Sequence, residues 1–143
     1  MKDQPKQSRI NLALLIDDEV IDQKMYMRII KRSGMVAEVK GFLAADHALD
    51  YLQSNPHQTV DAIFLDINMP RMDGFEFLEA ATATLGPRFA KVCIVMLTTS
   101  LDPSDYEKAG TFDVVKDFID KPLTIDDVHH VAELVRQTSA DGG

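Results

Sequence analysis

Asp17-Asp18, Asp66, Thr98 and Lys121 each stand where an apolar run gives way to polar residues, and their chemistries complement one another. Carboxylates brought together repel, so a cluster of them needs a cation or raised pKa values. Donors that are all oxygen suit a hard divalent cation such as Mg²⁺, which keeps several waters and accepts phosphate oxygens as further ligands. A lysine ammonium beside it pairs with a phosphate oxygen as a point charge. Phosphoryl transfer needs this kind of positioning and charge neutralisation more than it needs elaborate covalent machinery. The chemistry implied is phosphoryl transfer to a carboxylate nucleophile. Singly, each residue has an ordinary reading: Asp17 or Asp18 as a helix cap, Asp66 as a turn residue, Thr98 as a cap, Lys121 as a surface charge. Their joint placement is what favours a site.

The elements that must position them follow from hydrophobic periodicity. Ile10–Ile16, INLALLI, is a continuous apolar run that suits a strand buried on both faces. Ile21, Met25 and Ile29, with Tyr26 and Ile30 beside them, recur at helical spacing until Gly34 stops the pattern. Val36–Phe42 reads as a second strand, and Ala45, Ala48, Leu49 and Leu52 mark a second helix ended by Asn55-Pro56. Ala62–Leu65 is a third strand with Asp66 at its end, followed by a turn-rich loop from Asn68 to Gly74. Phe75, Leu78 and Ala81 predict a helix ending near Gly86-Pro87, and Val92–Leu97 predicts a fourth strand. Asp102-Pro103 reads as an N-cap and first-turn pair opening a short fourth helix with little amphipathic pattern. A fifth strand is expected around Asp117–Ile119, and a last helix carries Val128, Val131, Ala132 and Val135.

Five strand–helix units in succession predict an α/β fold with one parallel sheet. Their number and length fit the flavodoxin-like (βα)5 doubly wound order 2-1-3-4-5. Ligands in such sheets bind beyond the carboxyl ends of the strands, where the strand order reverses. That rule places Asp17, Asp18, Asp66, Thr98 and Lys121 around one crevice. The domain is expected over residues 10–137, with a polar N-terminal tail over 1–9 and a flexible C-terminal tail over 138–143.

Composition closes other doors. The 143 residues carry 23 acidic against 15 basic side chains, a net charge of -8, which argues against direct nucleic-acid binding. The acidic total is 17 Asp to 6 Glu, and Asp prefers turns, strand ends and caps. One cysteine, Cys93, excludes an internal disulfide, and its apolar neighbours mark it as a small buried hydrophobe. His47, His57, His129 and His130 form no metal-ligand pattern. No run approaches a membrane span and no signal peptide is visible, so the reading is cytoplasmic, without membrane partners.

The segments LLIDDE, FLDINMPRMDGFEFL, VMLTTS and DFIDKPL resemble the signature blocks of response-regulator receiver domains of two-component signalling, in the right order and spacing from about Ile10 to Gln137. The resemblance implies that Asp66 is the phospho-acceptor. It implies that Asp17, Asp18 and Asp66, with the backbone carbonyl of Asn68, hold Mg²⁺, Asp18 more directly than Asp17. It implies that Thr98 turns its hydroxyl toward the phosphoryl group and that Lys121 contacts it. Lys121-Pro122 is expected to be a cis bond, and Phe118 falls on the aromatic switch position. Thr99 stands where many members have Ala and narrows access, while Asn68 and Ser100 occupy positions that tune dephosphorylation.

The resemblance further implies a stand-alone chemotaxis-type receiver, regulatory rather than enzymatic, since little chain follows Lys121-Pro122. Its partners would be a sensor histidine kinase or a His-containing phosphotransfer protein, and a protein target. Receivers also dimerise through helices 4 and 5, so a homodimer is a further expectation. The competing readings are a Mg²⁺-dependent phosphohydrolase with an Asp nucleophile and a phosphorylation-independent scaffold. The first is disfavoured by adjacent Asp17-Asp18 where an Asp-x-Asp pattern belongs, and the second by retention of every acidic and Lys position.

Overall fold

Three of the apolar runs become strands buried on both faces: β1 (Ile10–Ile16), β3 (Ala62–Asp66) and β4 (Cys93–Thr98). A central strand of a parallel sheet has helices on both sides, so it has no polar face to offer. β2 (Val36–Phe42) and β5 (Val115–Asp120) are the edges, and their residues are correspondingly half-exposed. The strands pair in parallel in the order β2-β1-β3-β4-β5, the expected doubly wound arrangement. The computed structural model describes residues 10–99 and 102–142; the expected N-terminal tail over 1–9 and Ser100 lie outside them.

The helices are α1 (Val20–Arg32), α2 (Ala45–Ser54), α3 (Gly74–Leu85), α4 (Pro103–Ala109) and α5 (Ile125–Gly142). Alternation along the strands divides the core between the two sheet faces. Leu12, Leu14, Ile16, Ile63, Leu65, Ile94 and Met96 pack with α2 and α3. Ala13, Leu15, Phe64, Val95 and Leu97 pack with Tyr26 and Ile30 of α1 and with Val128, Val131 and Val135 of α5.

Three boundaries differ from expectation. A 3₁₀ segment, Gly86–Lys91, follows α3, with Pro87 in its first turn and Phe89 buried edge-on to Phe77 at 6.2 Å between ring centroids. Burying a Phe side chain contributes about 2 kcal/mol, enough to order a short connector. β5 begins at Val115 rather than Asp117, because Val115 and Phe118 both pack on the core while Lys116 points out. α5 continues over 138–142, where a tail beyond the domain was expected. Nothing in Thr138–Asp141 breaks a helix, and the Thr138 hydroxyl donates back to the Leu134 carbonyl at 2.9 Å.

Candidate functional site

The carboxyl ends of β1, β3 and β4 and the start of the loop after β5 meet at one edge of the sheet. Parallel register fixes their depth: Ile16 is opposite Leu65, Asp66 opposite Leu97, and Thr98 opposite Asp120. Each strand therefore delivers its terminal polar residue to the same level. Backbone bonds tie the ends together: Ile67 N–H donates to the Leu97 carbonyl at 3.2 Å, and Lys121 N–H to the Thr98 carbonyl at 2.8 Å.

Asp17, Asp18 and Asp66 each place a carboxylate oxygen within 4.8 Å of the others. Asp17 is fully buried and Asp66 nearly so, while Asp18 is half-buried. Asp17 Oδ1 accepts from Glu19 N–H at 2.9 Å. Its Oδ2 receives no directed hydrogen bond; the Lys121 ammonium lies 2.9 Å away, so the contact is ionic rather than well aligned. Lys121 Nζ also lies 3.4 Å from Asp22 and 3.6 Å from Asp66. The ring of Tyr26, its centroid 5.9 Å from the ammonium, closes the remaining side.

This packing leaves the site short of positive charge. Burial, and then the neighbouring Asp17 charge, push the Asp66 carboxyl up to about 7 in spite of Lys121. Burial likewise raises Asp17 against the opposing pull of the Glu19 amide and Lys121. Burial also works against the charge on Lys121, but its close pairing with Asp17 and the field of Asp66 outweigh that and raise its pKa. A buried, all-oxygen cluster with an under-served acceptor and carboxyls raised by crowding fits a hard divalent cation. The residues that would hold it are Asp17, Asp18 and Asp66.

The loop between β3 and α3 packs tightly against Asp66. Asp73 caps α3 reciprocally with Glu76, each side chain bonding the other's backbone amide at 2.9 Å. Gly74 N–H donates to the Ile67 carbonyl at 2.9 Å. A Cβ at Gly74 would lie 2.8 Å from the Asp66 carbonyl oxygen, so only glycine lets α3 begin this close to Asp66.

Comparison with known proteins agrees with this geometry. The family model for the response regulator receiver domain matches residues 13–133. The chain belongs to the response regulator receiver family. It is 26% identical to the probable methanogenesis regulatory protein FilR2 of Methanothrix harundinacea, over 88% of this chain and 81% of that protein. It is 27% identical to the hybrid signal transduction histidine kinase B of Dictyostelium discoideum, over 84% of this chain but only 6% of that protein. Among solved structures, a two component response regulator from Cytophaga hutchinsonii superposes with a TM-score of 0.83 at 29% identity, covering 90% of this chain and 98% of that one. The Vibrio cholerae chemotaxis protein CheY4 superposes with a TM-score of 0.75 at 25% identity, covering 88% and 98%.

This receiver domain is therefore a regulatory module of two-component signalling, and no helix among its described residues is long and apolar enough to cross a membrane. Of the residues singled out from sequence, Asp17, Asp18, Asp66 and Lys121 converge directly. Thr98 ends β4 beside them, buried. Asn68 is exposed, and its backbone amide serves the Asp66 carboxylate. Phe118 lies away from the carboxylates, half-buried and edge-on to Tyr106 of α4 at 5.0 Å. The Lys121-Pro122 bond is cis, with Pro122 exposed. Cys93 is buried, and burial pushes its thiol up to about 11.

Two further residues of the receiver site were not singled out from sequence. Asp22, in the first turn of α1, falls four residues after Asp18, a spacing visible in the sequence once Asp18 is assigned. Gln23 carried no such signal. Buried in the structure, its Nε2 donates at 3.0 Å to the carbonyls of both Asp17 and Phe42, pinning the ends of β1 and β2 to α1. Gly41 makes room for it, since a Cβ there would fall 2.2 Å from Gln23 Oε1.

Proposed function

We propose that this receiver accepts a phosphoryl group on Asp66 from a histidine kinase or a His-containing phosphotransfer protein, with Mg²⁺, and signals by protein contact or by passing the group onward. The observation that carries this reading is the convergence of Asp17, Asp18 and Asp66 around the Lys121 ammonium. An ionised Asp66 oxygen forms a bond to phosphorus as the donor's bond to phosphorus breaks. The leaving group is an imidazole, or acetate when acetyl phosphate is the donor. Mg²⁺ held by Asp17, Asp18, Asp66 and the Asn68 carbonyl would offset the repulsion between these carboxylates and the incoming phosphate. Lys121, anchored through its own N–H, supplies a cation to the phosphoryl oxygens, and Thr98 supplies a hydroxyl.

The response follows from what the group adds: close to a further unit of negative charge and three acceptor oxygens. Turning the Thr98 hydroxyl inward opens space beside β4 for Phe118. Phe118 would leave Tyr106, and with it α4, a helix of seven residues capped by Asp102. An apolar strip of Val20, Ile21 and Met25 on α1, exposed beside Asp18 and Asp22, suits a helical phosphodonor. The net charge of -8 supports a protein rather than nucleic acid as the direct target.

Incubation with acetyl phosphate and Mg²⁺, followed by intact-mass measurement, tests the reading. The parent chain gains one base-labile phosphoryl group and Asp66→Asn gains none. Lys121→Ala keeps some labelling but loses the conformational response. Labelling that persists in Asp66→Asn overturns the assignment, and steady turnover of phosphomonoesters would favour the phosphohydrolase instead.

A further inference from the structure

Lys121 has to reach a phosphoryl group on Asp66, yet at rest Asp66 is the most distant of its three acidic neighbours. Asp17 lies at 2.9 Å, Asp22 at 3.4 Å and Asp66 at 3.6 Å. The backbone of Lys121 is pinned by its bond to the Thr98 carbonyl, and the Tyr26 ring walls one side of the ammonium. Only the tip of the side chain is left to choose among these acceptors.

Asp17 and Asp22 differ in what happens to their charge. Asp17 belongs to the carboxylate cluster and gives its charge to a bound cation. Asp22 stands outside that cluster, on the first turn of α1, so its charge stays available to Lys121 whether or not a cation is present. We propose that Asp22 is a positioning residue that holds the Lys121 ammonium in reserve and competes with the phosphoryl group on Asp66 for it. This rests on the roles given to Asp66 and Lys121 above. Asp22 thereby weakens the grip of the site on a phosphoryl group, and so sets how readily the switch is thrown. The pair is only partly shielded, with Asp22 29% exposed against 9% for Lys121, so water screens the competition and its effect is modest.

Beryllofluoride, a non-covalent stand-in for the phosphoryl group, isolates this effect at saturating Mg²⁺. Asp22→Asn keeps the shape and removes the charge, and it is expected to bind beryllofluoride about two- to fivefold more tightly than the parent. Asp22→Glu, which keeps the charge, should return to the parent's affinity. In a Lys121→Met background, or Lys121→Gln should that variant not fold, Asp22→Asn should change nothing. Parent-like or weaker binding by Asp22→Asn overturns the proposal. So does tightening that persists without Lys121, because that would be plain repulsion of an anion by Asp22. Failure of the parent itself to bind beryllofluoride in an Asp66-dependent way would instead overturn the function proposed above and leave the role of Asp22 without a basis.

Discussion

Asp102 and Asp66 sit on the same side of the sheet, one opening α4 and the other closing β3, and their surroundings drive them in opposite directions. Asp102 is exposed and accepts the Ser104 N–H at 3.0 Å, the Asp105 N–H at 3.2 Å and the Ser104 hydroxyl at 2.5 Å. Those bonds, the Ser104 side chain foremost, hold its carboxyl below the usual range. Asp66 is buried beside two other carboxylates, with Lys121 shared three ways, and its carboxyl is pushed up to about 7. The first carboxylate has found its donors within its own helix. The second is held among groups that cannot satisfy it. The same residue type has its carboxyl lowered in one place and raised in the other because of solvation and neighbours alone.

The comparison is sharpest where a cation is added. Mg²⁺ should raise the thermal midpoint of the parent chain, by the equivalent of about 2.7 kcal/mol at a free ion concentration a hundredfold above its dissociation constant. Asp17→Asn and Asp18→Asn should abolish most of that gain, and Asp102→Asn should leave it intact. Because the ion requires ionised carboxylates and Asp66 titrates at about 7, Mg²⁺ affinity should fall as pH drops below 7, seen as a smaller midpoint shift at pH 6 than at pH 8.

In the absence of metal, removing the Asp66 charge should stabilise the fold. A carboxyl that titrates at about 7 when folded and about 3.9 when unfolded binds its proton more tightly in the folded state. Stability conferred by this group is therefore greatest below pH 4 and is lost as pH rises through 7. Asp66→Asn should be more stable than the parent at pH 8, on the order of 1–3 kcal/mol by chemical denaturation, and the difference should vanish near pH 4. A parent chain that gains stability between pH 4 and 7 on account of Asp66 would break the contrast with Asp102.

Asp102→Ala should do the reverse and lower the thermal midpoint by a few degrees, through loss of the α4 cap. The smallest effect is expected at Cys93, where burial pushes the thiol up to about 11. At pH 8 it should react with a thiol reagent only after denaturation.

Much of this molecule was legible as a sequence. β1, β3 and β4 are buried on both faces, so they appear as unbroken apolar runs, and the polar residues where those runs end are the candidate site residues. α4 was legible through Asp102-Pro103 although its apolar pattern is weak. The edge strand β5 was only partly legible, because a half-exposed strand alternates Lys116 and Asp117 with Val115 and Phe118 and blurs its own limits. The end of α5 was misplaced because Thr and Ser in its last turns read as tail residues while their backbone continued the helix. Gln23 gave no signal at all, since its importance lies in burial against two carbonyls that belong to different strands.

The sequence alone determined which groups are candidates for chemistry: three aspartates, a threonine and a lysine, each at or just beyond the end of a strand. Periodicity and spacing are local properties, and they suffice to name residues and order elements. Only the tertiary structure decided how those groups share charge. Lys121 and Asp22 meet across 99 residues of chain, and Asp17 faces Asp66 through the pairing of β1 with β3. Coulomb interaction and desolvation depend on distance and burial, which no stretch of sequence contains, so the raised Asp66 carboxyl and the divided allegiance of Lys121 exist only once the sheet has closed around them.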